Sequence, residues 1–159
     1  VNKSISELKS VKGRLQLAKI FPDKTKVFID FAHTPDAIKT AIISLKTHYK
    51  KDVTIVFGCG GERDKNKRKK IGSIVNKLCN KIYVTDDNPR RENPKFIRKE
   101  ILKSINKEKV IEIGNRTSAI HLAIKQSFPG DIILVAGKGH ELLQDYGKKK
   151  LIQGLWLES

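Results

Sequence analysis

Apolar residues in this chain of 159 residues alternate between short continuous runs and segments of helical spacing. Short runs rich in Val and Ile, bounded by polar residues or glycine, predict buried strands. Five such runs lie at residues 27–30, 53–57, 81–84, 110–113 and 132–136. Between them, apolar residues recur three or four positions apart, which predicts helices at residues 35–49, 71–78, 94–105 and 117–128.

Strands that alternate with helices in this way are typical of βαβ units. We therefore expect an α/β fold with a mostly parallel sheet of about six strands and helices on both faces. Right-handed crossovers bring the carboxyl ends of parallel strands to one edge of the sheet, where ligands commonly bind. Five loops follow strands at that edge: Asp30–Asp36, Gly58–Lys67, Thr85–Arg91, Ile113–Arg116 and Ala136–Glu141. Nearly all the unusual residues of the chain lie in these loops, which predicts a binding site there.

The loop at residues 85–92 combines acidic side chains with a guanidinium group. Asp86 and Asp87 could accept hydrogen bonds from an ammonium group, and Arg90 could hold a carboxylate through two parallel N–H bonds. Such a loop fits an amino acid or another zwitterion. Because Asp, Asn and Pro are also turn formers, a solvated turn fits the pattern equally well.

The loop at residues 58–68 is rich in glycine and basic residues. Glycines would let backbone N–H groups approach an anion, and a helix N-terminus favours negative charge. Neither G-x-x-x-x-G-K-[ST] nor G-x-G-x-x-G occurs in the sequence, so neither a P-loop nor a dinucleotide fingerprint is predicted. Cys59 could be a nucleophile, but no His follows at an informative position, and we predict a packed thiol. Cys59 and Cys79 show no metal-ligand or disulfide spacing, which favours a reduced, cytosolic setting.

The first and last loops add further candidate residues. Asp30 and His33 could form an acid–base pair or contact a nucleotide and its metal, whereas Asp36 by itself is explained by the helix dipole. Gly137 would bring the backbone close to a ligand, and Glu141 could accept an ammonium group. Together with Arg63 and Arg90, these loops suit a ligand with more than one carboxylate and more than one amine.

The formal net charge of +16 comes mostly from lysines spread along the chain, with local density at residues 65–70 and 148–150. Such a charge favours anions in general, including nucleic acid. No stacking aromatic residues accompany the basic runs, so we predict a solvated, Lys-rich surface and keep a nucleic-acid-binding module as the alternative. No apolar stretch approaches the roughly 20 residues that span a membrane. The chain begins at Val1 without a signal-like segment, and we expect a processed or excised, cytoplasmic chain.

Four segments resemble the C-terminal domain of the Mur ligases and occur in that family's order. They are Asp30–Ala37, Val56–Lys65, Thr85–Arg90 and Ala136–Glu141, and Gly13–Leu15 resembles the family's Gly-Arg element. The resemblance implies a Rossmann-like domain at residues 13–147. Residues 1–12 would then be a lead-in from a preceding domain, and residues 148–159 an extension to which we assign no function.

Mur ligases have three domains, and this chain resembles only the last. The resemblance implies that the other domains bind UDP-MurNAc-L-Ala-D-Glu and carry the P-loop for ATP and Mg²⁺. In the family, ATP phosphorylates a glutamyl carboxylate, and the amine of the added amino acid attacks the acyl phosphate. We therefore expect a domain of an ATP-dependent, amide-forming ligase of peptidoglycan precursor synthesis that is inactive alone.

In this family the motif at residues 87–90 marks ligases that add meso-diaminopimelate rather than L-lysine. L-lysine or a diaminopimelate analogue remains an alternative as the added amino acid.

The resemblance implies that no residue of this chain is a metal ligand. Phe31 and Glu62 depart from the family's usual Tyr and Asp. The implied amino-acid-binding residues are Arg63, Asp87, Asn88, Pro89, Arg90, Gly137 and Glu141, and the implied nucleotide-facing residues are Arg14, Asp30 and His33.

Overall fold

A computed structural model describes residues 14–139, 143–147 and 150–152. Eight strands and four helices lie within these residues. The strands are β1 (Gln16–Ile20), β2 (Lys26–Asp30), β3 (Val53–Phe57), β4 (Lys81–Val84), β5 (Val110–Glu112), β6 (Ile132–Ala136), β7 (Leu143–Asp145) and β8 (Lys150–Ile152). The helices are α1 (Pro35–Tyr49), α2 (Asn66–Leu78), α3 (Pro94–Leu102) and α4 (Arg116–Lys125).

The main sheet has six strands in the order β1-β2-β6-β3-β4-β5. In this sheet β2, β6, β3, β4 and β5 are all parallel to their neighbours in that series. The edge strand β1 is antiparallel to its neighbour, β2. The expected α/β fold with a mostly parallel sheet is therefore confirmed. β7 and β8 form a separate antiparallel pair.

Successive side chains of a strand point to opposite faces, and both faces of this sheet are covered. On one face, Phe28, Ile55 and Leu134 share a core cluster with residues of α1, α2 and α3. On the other face, Val56 and Val135 pack with the apolar side of α4. The apolar runs are continuous because the strands are buried on both sides.

Side-chain caps begin three of the helices directly after the loops of the carboxyl edge. The hydroxyl of Thr34 accepts a hydrogen bond from the Ala37 N–H at 3.2 Å, and Pro35 opens α1. The side chains of Asn93 and Asn115 cap α3 and α4 in the same way. Each cap satisfies a backbone N–H that the helix leaves unpaired, and so ends the preceding loop at a defined residue.

The differences from the predicted elements are local. β1 was not predicted because only Ile20 in it is β-branched and all its residues are partly or fully exposed. α2 begins at Asn66, five residues earlier than its apolar residues indicate, because its first turn is Lys- and Arg-rich. α4 ends at Lys125, before the exposed Phe128. No helix within the described residues is long and apolar enough to cross a bilayer.

Candidate functional site

Four of the carboxyl-edge loops enclose a cavity of about 450 Å³. Five of the predicted amino-acid-binding residues line it: Arg63, Asp87, Asn88, Arg90 and Gly137. Pro89 is buried next to them, and its carbonyl accepts the N–H of Glu92 at 3.1 Å, which closes the turn. Glu141 lies outside the described residues. The loops therefore converge where the strand order predicts that they should.

A second cavity of about 610 Å³ adjoins the first. Arg14, Asp30 and His33, the predicted nucleotide-facing residues, line it, and Phe31 and His33 line both cavities. The two predicted sets of residues thus occupy neighbouring cavities that share a wall.

Glycines bring the loop after β3 into direct contact with the loop after β4. A Cβ on Gly58 would lie 2.2 Å from the Thr85 carbonyl oxygen, and a Cβ on Gly61 would lie 1.9 Å from that of Pro89. The Gly61 N–H donates to the Asn88 carbonyl at 2.8 Å. The glycines therefore allow the backbones of the two loops to pack together. Because its N–H is already bound, Gly61 cannot donate to an anion as the sequence analysis suggested for the glycines of this loop.

Arg90 has a left-handed backbone conformation, with φ of +54°. Its N–H donates to the Asp145 carbonyl of β7 at 2.8 Å, which holds this conformation. Nη1 of its side chain donates to the Gly61 carbonyl at 2.8 Å. Nε and Nη2 have no acceptor within the described residues. This edge of the guanidinium is free to bind a carboxylate through two parallel bonds.

Asp87 supplies an acceptor to the same cavity. Its side chain is largely buried, and no donor within the described residues binds either carboxylate oxygen. A Cβ on Gly137 would lie 2.6 Å from Oδ2, and Gly137 has φ of +112°, so only glycine fits beneath this carboxylate. A buried carboxylate with open lone pairs is suited to receive an ammonium group.

Asp86 is not available to a ligand in this way. One of its carboxylate oxygens pairs with Nη1 of Arg98, and the other accepts the Tyr146 hydroxyl at 2.8 Å. Burial and the Asp86 carboxylate raise the pKa of Tyr146, so its hydroxyl stays a donor. The suggestion that both aspartates could receive an ammonium group is therefore wrong for Asp86, which holds α3 and the β7 region to the loop.

The side chain of Asn88 is fixed by two hydrogen bonds to its amide oxygen. Its Oδ1 accepts hydrogen bonds from Nζ of Lys138 at 2.8 Å and from the Asp145 N–H at 2.9 Å. Nearby, Nε2 of the buried Gln144 donates to the carbonyls of Asp86 and Asp87 at 3.1 and 2.9 Å. β7 therefore forms the back wall of the predicted binding loop, a role that the sequence analysis missed.

The buried Arg68 joins the two loops through ion pairs with partly exposed carboxylates. Its guanidinium binds both carboxylate oxygens of Glu92 at 2.8 and 2.7 Å, Glu100 at 2.8 Å and the Gly60 carbonyl at 3.2 Å. The hydrogen bonds and charge of Arg68 lower the pKa of Glu92 to about 2. The sequence did contain a signal for this role, because Arg68 lies three and seven positions before Ile71 and Val75, on the buried stripe of α2.

In the second cavity, Asp30 organises the loop around it. Its Oδ2 accepts the Leu15 N–H at 2.8 Å, and its Oδ1 accepts the Ala32 N–H at 2.6 Å. Burial raises the pKa of Asp30, while these bonds and the charge of Arg14 oppose the rise. Arg14 and His33 are exposed at the cavity, where they could contact an anionic nucleotide. The described residues contain no cluster of three or more His, Cys, Asp or Glu side chains that could hold a metal ion.

Cys59 is partly buried, lines the cavity and packs against the core, as predicted for a packed thiol. Burial, and next the negative charge of Asp87, raise the pKa of its thiol to about 12. The thiol is therefore protonated at neutral pH, which is unfavourable for a nucleophile. Cys59 and Cys79 are both free thiols.

Comparisons with known proteins place these observations in a family. The family model described as "Mur ligase, glutamate ligase domain" matches residues 13–139. A UDP-N-acetylmuramoyl-L-alanyl-D-glutamate--2,6-diaminopimelate ligase of Rickettsia conorii is 49% identical over 150 residues, which cover 93% of this chain and 30% of that protein. A ligase of the same name from Buchnera aphidicola is 47% identical over 153 residues, or 96% of this chain and 30% of that protein.

Two solved structures have folds similar to that of this chain. A structure of a ligase of the same name is 34% identical, with a TM-score of 0.81 over 93% of this chain and 30% of that one. A folylpolyglutamate synthase/dihydrofolate synthase from Yersinia pestis, complexed with AMPPNP and a Mn ion, shares the fold at 18% identity and a TM-score of 0.65, over 82% of this chain and 29% of that one. The chain spans about 30% of the length of the curated relatives it matches.

Proposed function

The chain belongs to the Mur ligase family, and we propose that it is the domain that binds the incoming amino acid in a ligase joining meso-diaminopimelate to UDP-MurNAc-L-Ala-D-Glu. The relatives are more than three times as long as this chain. Other parts of the whole protein therefore bind the UDP-linked substrate and make most of the contacts to ATP and Mg²⁺. This chain alone is then inactive, and the reaction takes place in the cytoplasm.

The arrangement around Arg90 carries this proposal. The Gly61 carbonyl holds Nη1, and no acceptor in the described part of the chain binds the opposite edge of the guanidinium, at the cavity that Asn88 and Asp87 also line. Diaminopimelate carries two carboxylates and two ammonium groups, so it can satisfy the donors of Arg90 and Asn88 and the acceptor of Asp87 together. L-lysine lacks the carboxylate at the far end and would leave Nε and Nη2 of Arg90 without that carboxylate, which favours its rejection.

The side chains of Arg14 and His33 are suited to bind a nucleotide in the adjoining cavity. A cationic guanidinium and an imidazole fit a polyphosphate and its base, whereas both carboxylate oxygens of Asp30 are already bound to backbone N–H groups. When bound, ATP supplies the phosphoryl group that activates the acceptor carboxylate. The residues of this chain hold the amino acid next to that nucleotide and orient its attacking amine.

Substrate comparison with the full-length protein tests this function. Phosphate release is measured with UDP-MurNAc-L-Ala-D-Glu, ATP and Mg²⁺, and with meso-diaminopimelate, a diaminopimelate analogue or L-lysine as the amine. We expect kcat/KM for meso-diaminopimelate to exceed that for L-lysine by about 10⁴-fold, because the partly buried Arg90 guanidinium would lose the carboxylate that pairs with it. Equal or faster turnover of L-lysine would refute the proposed substrate, and turnover by residues 1–159 alone would refute the need for other domains.

A further inference from the structure

We propose that Lys138 is a positioning residue that fixes the amide of Asn88 so that its NH₂ group donates to a carboxylate of the bound amino acid. This inference rests on the proposed function and adds a residue to it. Lys138 lies two residues after β6, and the residue is 1% exposed. A lysine is rarely buried to this extent unless its ammonium group is held by a partner.

The hydrogen bonds of Asn88 determine which way its amide points. Oδ1 lies 2.8 Å from Nζ of Lys138 and 2.9 Å from the backbone nitrogen of Asp145. An ammonium group and a backbone N–H can only donate, so the atom between them must be the amide oxygen. The NH₂ group consequently points away from both, and it has no acceptor within the described residues. Asn88 lines the amino-acid cavity, and two N–H donors are thus available there.

The charge of Lys138 also matters for the strength of these donors. A cation bound to the amide oxygen polarises the amide and makes its N–H groups better donors. If the amide were reversed, its oxygen would face the ligand carboxylate, and the two acceptors would repel each other. Lys138 and the Asp145 N–H together oppose this reversal, so that Asn88 and Arg90 both present donors to the ligand.

The loop backbone does not depend on this side-chain contact. The Asn88 carbonyl accepts the Gly61 N–H, and Gln144 binds the carbonyls of Asp86 and Asp87. These bonds hold the backbone of the loop at residues 86–88 independently of the contact between Lys138 and Asn88. A positioning role then predicts an effect on amino-acid binding that depends on Asn88.

A double-mutant cycle in the full-length protein tests this role. Lys138→Met keeps most of the buried stem but removes the donor. We expect it to raise KM for meso-diaminopimelate about tenfold, while KM for ATP and for the UDP-linked substrate stays unchanged. In an Asn88→Ala background, the same substitution should raise KM no further. Lys109→Met is the matched control, because Lys109 also donates to an oxygen of an asparagine, the partly buried carbonyl of Asn76, but does not line the cavity.

An unchanged KM in Lys138→Met, or an equal rise in the Asn88→Ala background, would overturn the inference. Asn88→Asp provides a second test if Lys138→Met does not fold. It retains an acceptor for Lys138 but presents an oxygen instead of NH₂ to the ligand, so we expect normal thermal stability with a KM raised at least tenfold. An unchanged KM here would also overturn it. If the wild-type protein instead uses another amino acid, the proposed substrate fails, and the same cycle is measured with that amino acid.

Discussion

Nη1 of Arg90 donates to the carbonyl oxygen of Gly61 at 2.8 Å, so a glycine from the loop after β3 orients an arginine from the loop after β4. The contact is possible because the two loops pack backbone against backbone. Within the described residues, Nε and Nη2 have no acceptor, which is the geometry needed for bidentate carboxylate binding.

Replacement of Arg90 should remove the selection of the amino acid. We expect Arg90→Ala to lower kcat/KM for meso-diaminopimelate about 100-fold in the full-length protein, because two charge-assisted hydrogen bonds are lost. L-lysine turnover should change much less. Steady-state phosphate release measures both, and Arg91→Ala is the control because this neighbouring arginine is exposed and does not line the cavity. Equal losses in the two variants would contradict the role of Arg90.

Gly60 should control where the Arg90 guanidinium lies. A Cβ on Gly60 would lie 2.9 Å from Nη1, at the flexible end of the Arg90 side chain. We expect Gly60→Ala to displace the guanidinium and raise KM for meso-diaminopimelate about fivefold, with thermal stability nearly unchanged. Gly61→Ala is the comparison, because its Cβ would lie 1.9 Å from the Pro89 carbonyl oxygen and should destabilise the fold instead. A clear loss of stability in Gly60→Ala would contradict this distinction.

The Arg68–Glu92 pair should make stability depend on acid pH. The pKa of Glu92 is about 2, below its ordinary value of 4.5, so the folded state favours the ionised carboxylate. The stabilisation is complete above pH 4.5 and is lost as pH falls from 4.5 toward 2. We expect the free energy of unfolding to drop by about 2 kcal/mol over this range because of Glu92.

Urea unfolding at several pH values checks that expectation. Glu92→Gln should be less stable than the wild type at pH 6 and should show a shallower decline below pH 4.5. Glu108→Gln, at an exposed position, should follow the wild-type curve. Parallel curves for the wild type and Glu92→Gln would show that Glu92 does not contribute this pH dependence.

Both cysteines should react slowly in the native protein. Burial raises the pKa of Cys59 and of Cys79 to about 12, so at pH 8 almost no thiolate is present. We expect iodoacetamide to modify the native protein far more slowly than the urea-unfolded protein, as measured by mass spectrometry. Rapid alkylation of Cys59 in the native state would contradict its packed, protonated environment.

The lysines at residues 65–70 should act as a solvated surface. We expect only weak binding of duplex DNA at physiological salt, since no stacking aromatic residues accompany this segment. Fluorescence anisotropy over a range of salt concentrations measures the affinity and its salt dependence. Tight binding that is lost when Lys69 and Lys70 are replaced by Gln would favour the nucleic-acid alternative.

The sequence predicted the elements whose pattern is regular. β3, β4 and β6 were predicted with their observed bounds because strands buried on both faces are largely apolar, with Thr54 and Lys81 as the polar residues of β3 and β4. β7 could not be recognised in this way, because its three residues show no pattern and its importance comes from contacts with Asn88 and Arg90. Arg68 was overlooked because its partner Glu92 is distant in the sequence, and only the folded chain places the two side chains in contact.

By itself, the sequence determined the strand–helix alternation, the loops that meet at one edge and the motifs that identify the family, because each depends on residues close together in the chain. Only the tertiary structure decided which polar atoms remain free. Asp86 and Asp87 are adjacent and chemically identical, yet Arg98 and Tyr146 bind the carboxylate of Asp86, while no donor among the described residues binds that of Asp87. Hydrogen-bonding capacity is used up by neighbours that are distant in sequence, so the availability of an atom to a ligand follows from packing.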